Sequence, residues 1–158
     1  MKIRDYNPSD CAALAQLFYD TVHTINARDY TAAQLEVWAT GSIDLAAWNR
    51  SFLEHLTLVA EMDDIIVGFA DIDHQGHLDR LYVHKNYQGN GIATALVKAL
   101  EQRTINENID SYKTYASITA RPFFEKLGYT VQSENTVVRG SVSLTNFKMT
   151  KKPPAKHK

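Results

Sequence analysis

Cysteine is almost absent from this chain: Cys11 is the only one in 158 residues, which excludes an intrachain disulfide and a cysteine-built zinc cluster. Its setting, "CAALAQLF", reads as a helix face and not as the surroundings of a nucleophile. An excess of charge is lacking too. The 17 Lys and Arg nearly balance 18 Asp and Glu, for a formal net charge of −1, without the basic surplus that nucleic-acid binders show. No nucleic acid is expected as a partner. Long apolar runs are also missing. The longest, such as "DIIVGFADI" at 64–72, fall far short of the roughly 20 residues of a membrane-spanning helix, and the first ten residues hold no signal-peptide core. The chain reads as a cytoplasmic protein with no membrane partner.

What is present is enough apolar material, 44% of residues, for one compact core and hardly for two. A single domain is expected over 1–150, with no internal repeat or linker. The segment 151–158, "KKPPAKHK", has two prolines and no apolar side chain beyond Ala155, so it reads as a disordered basic tail.

Periodicity gives the order of elements. "MKIRDY" is a strand. In "NPSD", Asn7 can cap a helix, Pro8 suits its first turn and Asp10 its positive end, and Leu14, Leu17, Phe18, Val22 and Ile25 recur at helical spacing. Thr31 with Gln34 opens a second helix through Trp38 by a capping box, and Asp44 caps a third carrying Leu45, Trp48 and Phe52. Three strands follow, "LTLVAEM", "IIVGFADI" and "HLDRLYV", as an antiparallel meander. Then come a helix from Ile92 to about Asn106, a strand at "SYKTYAS", a helix at "TARPFFEKLG" ended by Gly128, and two closing strands. This is an α+β or three-layer α/β domain with a mixed central sheet.

Glycine is sparse, 7 in all, yet Gly89 and Gly91 fall together in "QGNGIA", between the strand "LYV" and an uninterrupted helix. A helix start has N–H groups without partners and about half a positive charge, and glycines let main chain approach a bulky anion, so the stretch suits a pyrophosphate. A tight strand-to-helix turn is the alternative use of the same glycines. Two other glycine loops fail. Thr94 stands where a dinucleotide fingerprint needs Gly or Ala, and neither glycine opens the Gly-Lys-Ser/Thr of a P-loop.

The pattern that fits is Gln/Arg-x-x-Gly-x-Gly/Ala, matched by Gln88, Gly91 and Ala93. It resembles the acetyl-CoA motif of the GNAT superfamily of N-acetyltransferases. The likeness extends back into "LYVHKNY" and forward to "ITARPFFEKLGY". It implies a GNAT-like, mostly antiparallel sheet flanked by helices and splayed between its fourth and fifth strands. It also implies acetyl-CoA as co-substrate, with the pyrophosphate on the main chain of Gln88, Gly89, Asn90, Gly91, Ile92, Ala93 and Thr94, and pantetheine against Leu81, Tyr82 and Val83. The early helices usually line the family's acceptor pocket, which offers His23 and Tyr30 as substrate contacts. No metal is expected.

The implied reaction is attack of a neutral amine on a thioester. An alkylamine with a pKa of about 10.4 is neutral in about one molecule in 2,500 at pH 7, a cost of about 4.6 kcal/mol, so a base or water chain helps. On "HLDRLYV", period-two alternation places His77, Asp79, Leu81 and Val83 on one face unless a bulge resets it. His77 and Asp79 are the candidate bases. Imidazole titrates near the useful range, at about 6.5, and an aspartate must be buried or act through water. In "ARPFFEKLGY" Phe124 stands where the family often has a tyrosine that protonates the departing thiolate, and Ser117 replaces a common Asn, so Ser117 is the candidate acid. The expectation is an acetyl-CoA-dependent N-acetyltransferase for a primary amine of a small molecule or peptide, as monomer or homodimer. Its rival is a non-catalytic acyl-CoA-binding or sensor domain, which could dispense with an acid.

Overall fold

The structure, a computed structural model, describes residues 1–154. Seven strands, β1 (Lys2–Asp5), β2 (Leu56–Met62), β3 (Ile65–Ile72), β4 (His77–Val83), β5 (Tyr112–Ser117), β6 (Thr130–Arg139) and β7 (Val142–Lys151), form one sheet in the order β1-β2-β3-β4-β5-β7-β6. Five α-helices accompany it: α1 (Cys11–Thr24), α2 (Ala32–Trp38), α3 (Leu45–Glu54), α4 (Ile92–Arg103) and α5 (Arg121–Lys126). The β4–β5 pair is parallel and the other pairs are antiparallel. No helix among the described residues is long and apolar enough to cross a membrane.

The expected caps are in place. The Asn7 side chain accepts from the Ser9 N–H at 3.0 Å, and Asp10 accepts from the Asn7 N–H at 2.9 Å while Arg4 holds its carboxylate. Thr31 and Gln34 form a reciprocal capping box on α2, and Asp44 caps α3. Helix α4 ends at Arg103, three residues before the expected Asn106, where the Thr104 backbone leaves the helical region (φ −106°, ψ 7°) and its hydroxyl bonds back to the Leu100 carbonyl at 2.8 Å. Of the expected tail, 155–158 lie outside the described residues. Lys151 is the last residue of β7, its ammonium 3.0 Å from Glu101.

The sheet separates two cores. On one face Leu58, Val67, Ile72, Leu78 and Val83 pack against Ile92, Leu96 and Leu100 of α4. On the other, Val59 and Phe69 meet Leu14, Leu17, Phe18 and Val22 of α1 and Phe52 of α3. Cys11 is buried in this second core. Gly68 sets how closely α4 can lie: a Cβ there would come 3.1 Å from Ile92 Cγ2 and 3.2 Å from Leu96 Cδ1.

Two irregularities in β4 shape everything that follows. The first is a β-bulge. Asp71 opposes Arg80 and Ile72 opposes Leu78, so Asp79 is an extra residue with no partner in β3. The expected common face of His77, Asp79, Leu81 and Val83 is therefore broken. Leu78, Leu81 and Val83 turn to the α4 side, whereas Tyr82 packs on the α1 side and the Arg80 guanidinium lies over Phe52 and Trp48. The second is a splay. Strand β4 pairs with β5 only at His77–Lys113 and Leu78–Thr114, after which the strands part, β4 running on to Val83 and β5 to Ser117.

Candidate active site

The splay opens a cleft of about 260 Å³ between the diverging strands, lined by Asp79, Leu81, Tyr82 and Val83 on one side and Thr114 to Ser117 on the other, with α5 beyond. The His84 N–H bonds the Val67 carbonyl across the β3 edge at 2.8 Å. By antiparallel alternation, Leu81 and Val83 turn their N–H and C=O groups the other way, into the gap. The Val83 carbonyl is already taken by Gln88 Nε2 at 2.7 Å and by the Thr21 hydroxyl at 3.3 Å. Leu81 has no main-chain hydrogen-bond partner across the gap among the described residues. Tyr82, also expected at the cofactor, lines the cleft but pairs its main chain with Phe69 and packs its ring against Phe18 and Phe69.

At the end of β4 the chain turns through Gly89 (φ 79°) and Gly91 (φ 73°), both in the left-handed region that favours glycine, and a Cβ at either would meet nothing within 4 Å. Gly91 is the N-cap of α4 and no side chain caps the helix; the first amide bonded back to the turn is that of Ala95, to Gly91 at 3.0 Å. Ile92, Ala93 and Thr94 thus present N–H groups at an open, positive helix end, beside a main chain with free space above it. These are the requirements of a phosphate cradle. Two polar side chains of the motif serve the loop itself. Gln88 ties back to β4, and Asn90 Nδ2 donates to the Tyr87 carbonyl at 3.0 Å. Ile92 is buried under Gly68, and Ala93 faces the cleft.

At the other end of the cleft stands Asp79, turned out by the bulge and exposed over 39% of its side chain. Arg80 beside it is held firmly. Nη1 donates to Asp71 Oδ2 at 3.0 Å, Nη2 donates to Ser51 Oγ at 2.7 Å, and the guanidinium lies 4.6 Å from the Phe52 ring centre and 5.0 Å from that of Trp48. It reaches Asp79 Oδ2 only at 3.5 Å. Asp71 is fully buried and also takes His55 Nδ1 at 2.7 Å, leaving Oδ1 without a partner among the described residues. Burial pushes the Asp71 carboxyl up despite its two partners, and the hydrogen bond to Asp71 raises His55. His55, Asp71 and Asp79 lie within the reach of one metal ion, their ligand atoms within 4.8 Å of one another. The cation between these carboxylates is the Arg80 guanidinium.

The structure separates the candidate side chains. Asp79 and Ser117 line the cleft; His77 does not, although its ring lies 5.7 Å from that of Tyr115, which does. The Ser117 hydroxyl is engaged, accepting from the Ala120 N–H at 3.0 Å. His23 stacks on Tyr19 and reaches the Ala39 carbonyl at 2.7 Å, away from the cleft. Tyr30 is buried, its hydroxyl donating to the Thr145 carbonyl and accepting from the Ile118 N–H, both at 2.8 Å, so it clamps the early helices to the sheet. Phe124 is 2% exposed and packs against Phe123 and Tyr129. The sequence reading passed over Asn26, Arg28 and Tyr115, all of which line the cleft. "TINARDY" follows a helix without any motif, and Tyr115 in a strand looks like any other aromatic; nothing local distinguishes them.

Residues 26–151 match the sequence model of the acetyltransferase (GNAT) domain. The chain is 34% identical over 155 residues, 97% of each sequence, to YafP of Escherichia coli (strain K12), an uncharacterized N-acetyltransferase. It is similar to the crystal structure of a GCN5-related N-acetyltransferase from Rhodopseudomonas palustris, with 35% identity, a TM-score of 0.90 and coverage of 96% of this chain and 94% of that one. The fold alone is shared with the PaiA N-acetyltransferase of Thermoplasma acidophilum, solved in complex with coenzyme A, at 21% identity, a TM-score of 0.78 and coverage of 96% and 98%.

Proposed function

The chain belongs to the GNAT acetyltransferase family, and from that premise we propose that it moves the acetyl group of acetyl-CoA to a primary amine of a small molecule or peptide by direct attack. One observation carries the reading: a single cleft runs from the glycine turn at α4, along the free edge of Leu81, to the carboxylate of Asp79.

Pyrophosphate suits the amides of Ile92 to Thr94 at the uncapped helix end, where the dipole favours negative charge. Pantetheine carries two amides, and Leu81 offers an N–H and a C=O facing the gap, so the cofactor completes the parted edge as an added strand would. This delivers the thioester towards the bulge. Asp79 attracts the acceptor ammonium and takes its proton through water. The neutral nitrogen then attacks the carbonyl carbon, a C–N bond forms, the C–S bond breaks with its electron pair on sulfur, and the nitrogen releases its second proton to water as the amide forms. A thiolate with a pKa of about 8.5 is a tolerable leaving group, and the proton it acquires comes from water or from a hydroxyl on β5. Tyr115 is the better placed of those hydroxyls, because it faces the cleft, 42% exposed, while Ser117 already serves Ala120. Cys11 lies in the helical core, so an acyl-cysteine route has no support. Neither does the non-catalytic sensor reading.

The test is turnover. Purified protein, acetyl-CoA and a panel of primary amines should release CoA thiol only when amine is present, with an acetylated product seen by mass spectrometry. Thiol release that no amine accelerates, across a panel of amino acids, amino-acid amides, aliphatic diamines and short peptides, would overturn the proposal.

A further inference from the structure

We infer that the acceptor is an amine that also carries a carboxylate, an amino-acid-like zwitterion whose acid group is received by Arg28 and Asn26 while its amine faces Asp79. The inference rests on the proposed amine acetylation and adds the class of amine.

Among the residues lining the cleft only two bear a formal charge, and they are of opposite sign: Asp79 and Arg28. Neither charge is fully answered among the described residues. The Arg80 guanidinium is committed to Asp71, Ser51 and two aromatic faces, and it meets Asp79 only at 3.5 Å. Arg28 has one acidic neighbour, Asp29, at 3.7 Å, and that carboxylate oxygen already accepts from the Thr119 hydroxyl at 2.7 Å. The Arg28 side chain stays 69% exposed. A purely cationic acceptor, such as a diamine, would meet one carboxylate and one repelling guanidinium here. A zwitterion answers both charges.

Asn26 supplies independent support. It lines the cleft and its carboxamide hydrogen-bonds no described residue; Asp71 Oδ1 is the one fully buried side-chain polar atom without a partner among the described residues, so the Asn26 amide is left open to the cleft as a donor. Two residues along the same short turn (Asn26–Arg28) lies the guanidinium. An amide N–H and an arginine fork are together a suitable donor set for a carboxylate. Trp38 and Tyr82, which also line the cleft, offer apolar surface to whatever joins the two charged groups.

The experiment compares matched acceptors. The standard L-amino acids are screened for acetylation, and each substrate found is retested as its primary amide and as the amine lacking the carboxylate. The free acid should exceed both in kcat/KM by at least tenfold. Arg28→Gln should erase most of that preference by raising KM for the acid at least tenfold, while the amide, relieved of a repelling charge, should be acetylated no more slowly than before. Asn26→Ala should do the same to a smaller degree. Arg28 is exposed, so its variant tests recognition without threatening the fold. Amide or plain amine acetylated as well as the acid, or an unchanged preference in Arg28→Gln, would overturn this inference and leave amine acetylation standing. Failure of every amine to accelerate CoA release would overturn the underlying reading instead.

Discussion

At its proposed cofactor end the cleft is lined by Leu81, Tyr82, Val83, Gln88 and Ala93, all from one strand-turn-helix stretch; at its proposed acceptor end it is lined by Asn26, Arg28, Asp79 and Tyr115, from three separate parts of the chain. The difference follows from the ligands. A pyrophosphate and a pantetheine arm present invariant charges and amides, which a helix N-terminus and a strand edge can meet with backbone alone. An acceptor is recognised by what distinguishes it from other amines, and that needs side-chain chemistry. The first kind of site tolerates change in most of its side chains but not in its conformation. The second should respond to single side-chain substitutions without losing cofactor.

The most severe way to break this division is at the glycine turn. Gly91→Asp brings a side chain and a negative charge to the cradle, and acetyl-CoA binding should be lost. In the native protein, ligand at a hundredfold its Kd should stabilise by about 2.7 kcal/mol, and the variant should show no rise in Tm with millimolar acetyl-CoA. A native-like shift in a folded Gly91→Asp would move the cradle elsewhere.

Next in size is the bulge. Asp79→Asn should lower kcat by tenfold or more, since base catalysis typically contributes about a hundred- to ten-thousand-fold, while the acetyl-CoA shift in Tm persists. His77→Gln should remain near native turnover, because the bulge puts that ring outside the cleft. Steady-state kinetics on the two variants check both statements, and the reverse ranking would return the base to His77. A smaller effect is expected at β5: Tyr115→Phe should reduce kcat several-fold if its phenol delivers the proton to sulfur, with Ser117→Ala closer to native. Equal, undiminished rates in both would leave that proton to water.

The smallest effect concerns His55, behind the acceptor end. Its hydrogen bond to the buried Asp71 raises its pKa in the folded state. The stability this gives is fully present below the unfolded value of about 6.5 and is lost as pH rises through the higher folded value. The Tm gap between native protein and His55→Gln should therefore be widest in mildly acidic buffer and narrow towards pH 9. A gap independent of pH would mean that the neutral hydrogen bond, and not the charge, is what His55 contributes.

Much of the architecture was legible because it is local. Asn7, Thr31 with Gln34, and Asp44 cap from within a few residues of the helices they start, and alternation in 56–83 is enough to write a meander. The glycine turn is local as well, and "QGNGIA" contains its whole geometry. The bulge was not legible. It depends on how β4 registers against Asp71 in another strand, and that single extra residue parts His77 from Asp79, which alternation alone puts on one face, and leaves Asp79 lining the cleft. Likewise, no pattern in "YTAAQ" says that the Tyr30 hydroxyl is taken by the Ile118 amide and the Thr145 carbonyl, which lie far along the chain. Sequence alone determined the elements, their order and the glycine turn, since each is a property of neighbouring residues with fixed periods and caps. Only the tertiary structure decided which side chains line the cleft, because they become neighbours there through strand register and helix docking, and those are set by the packing of the whole sheet.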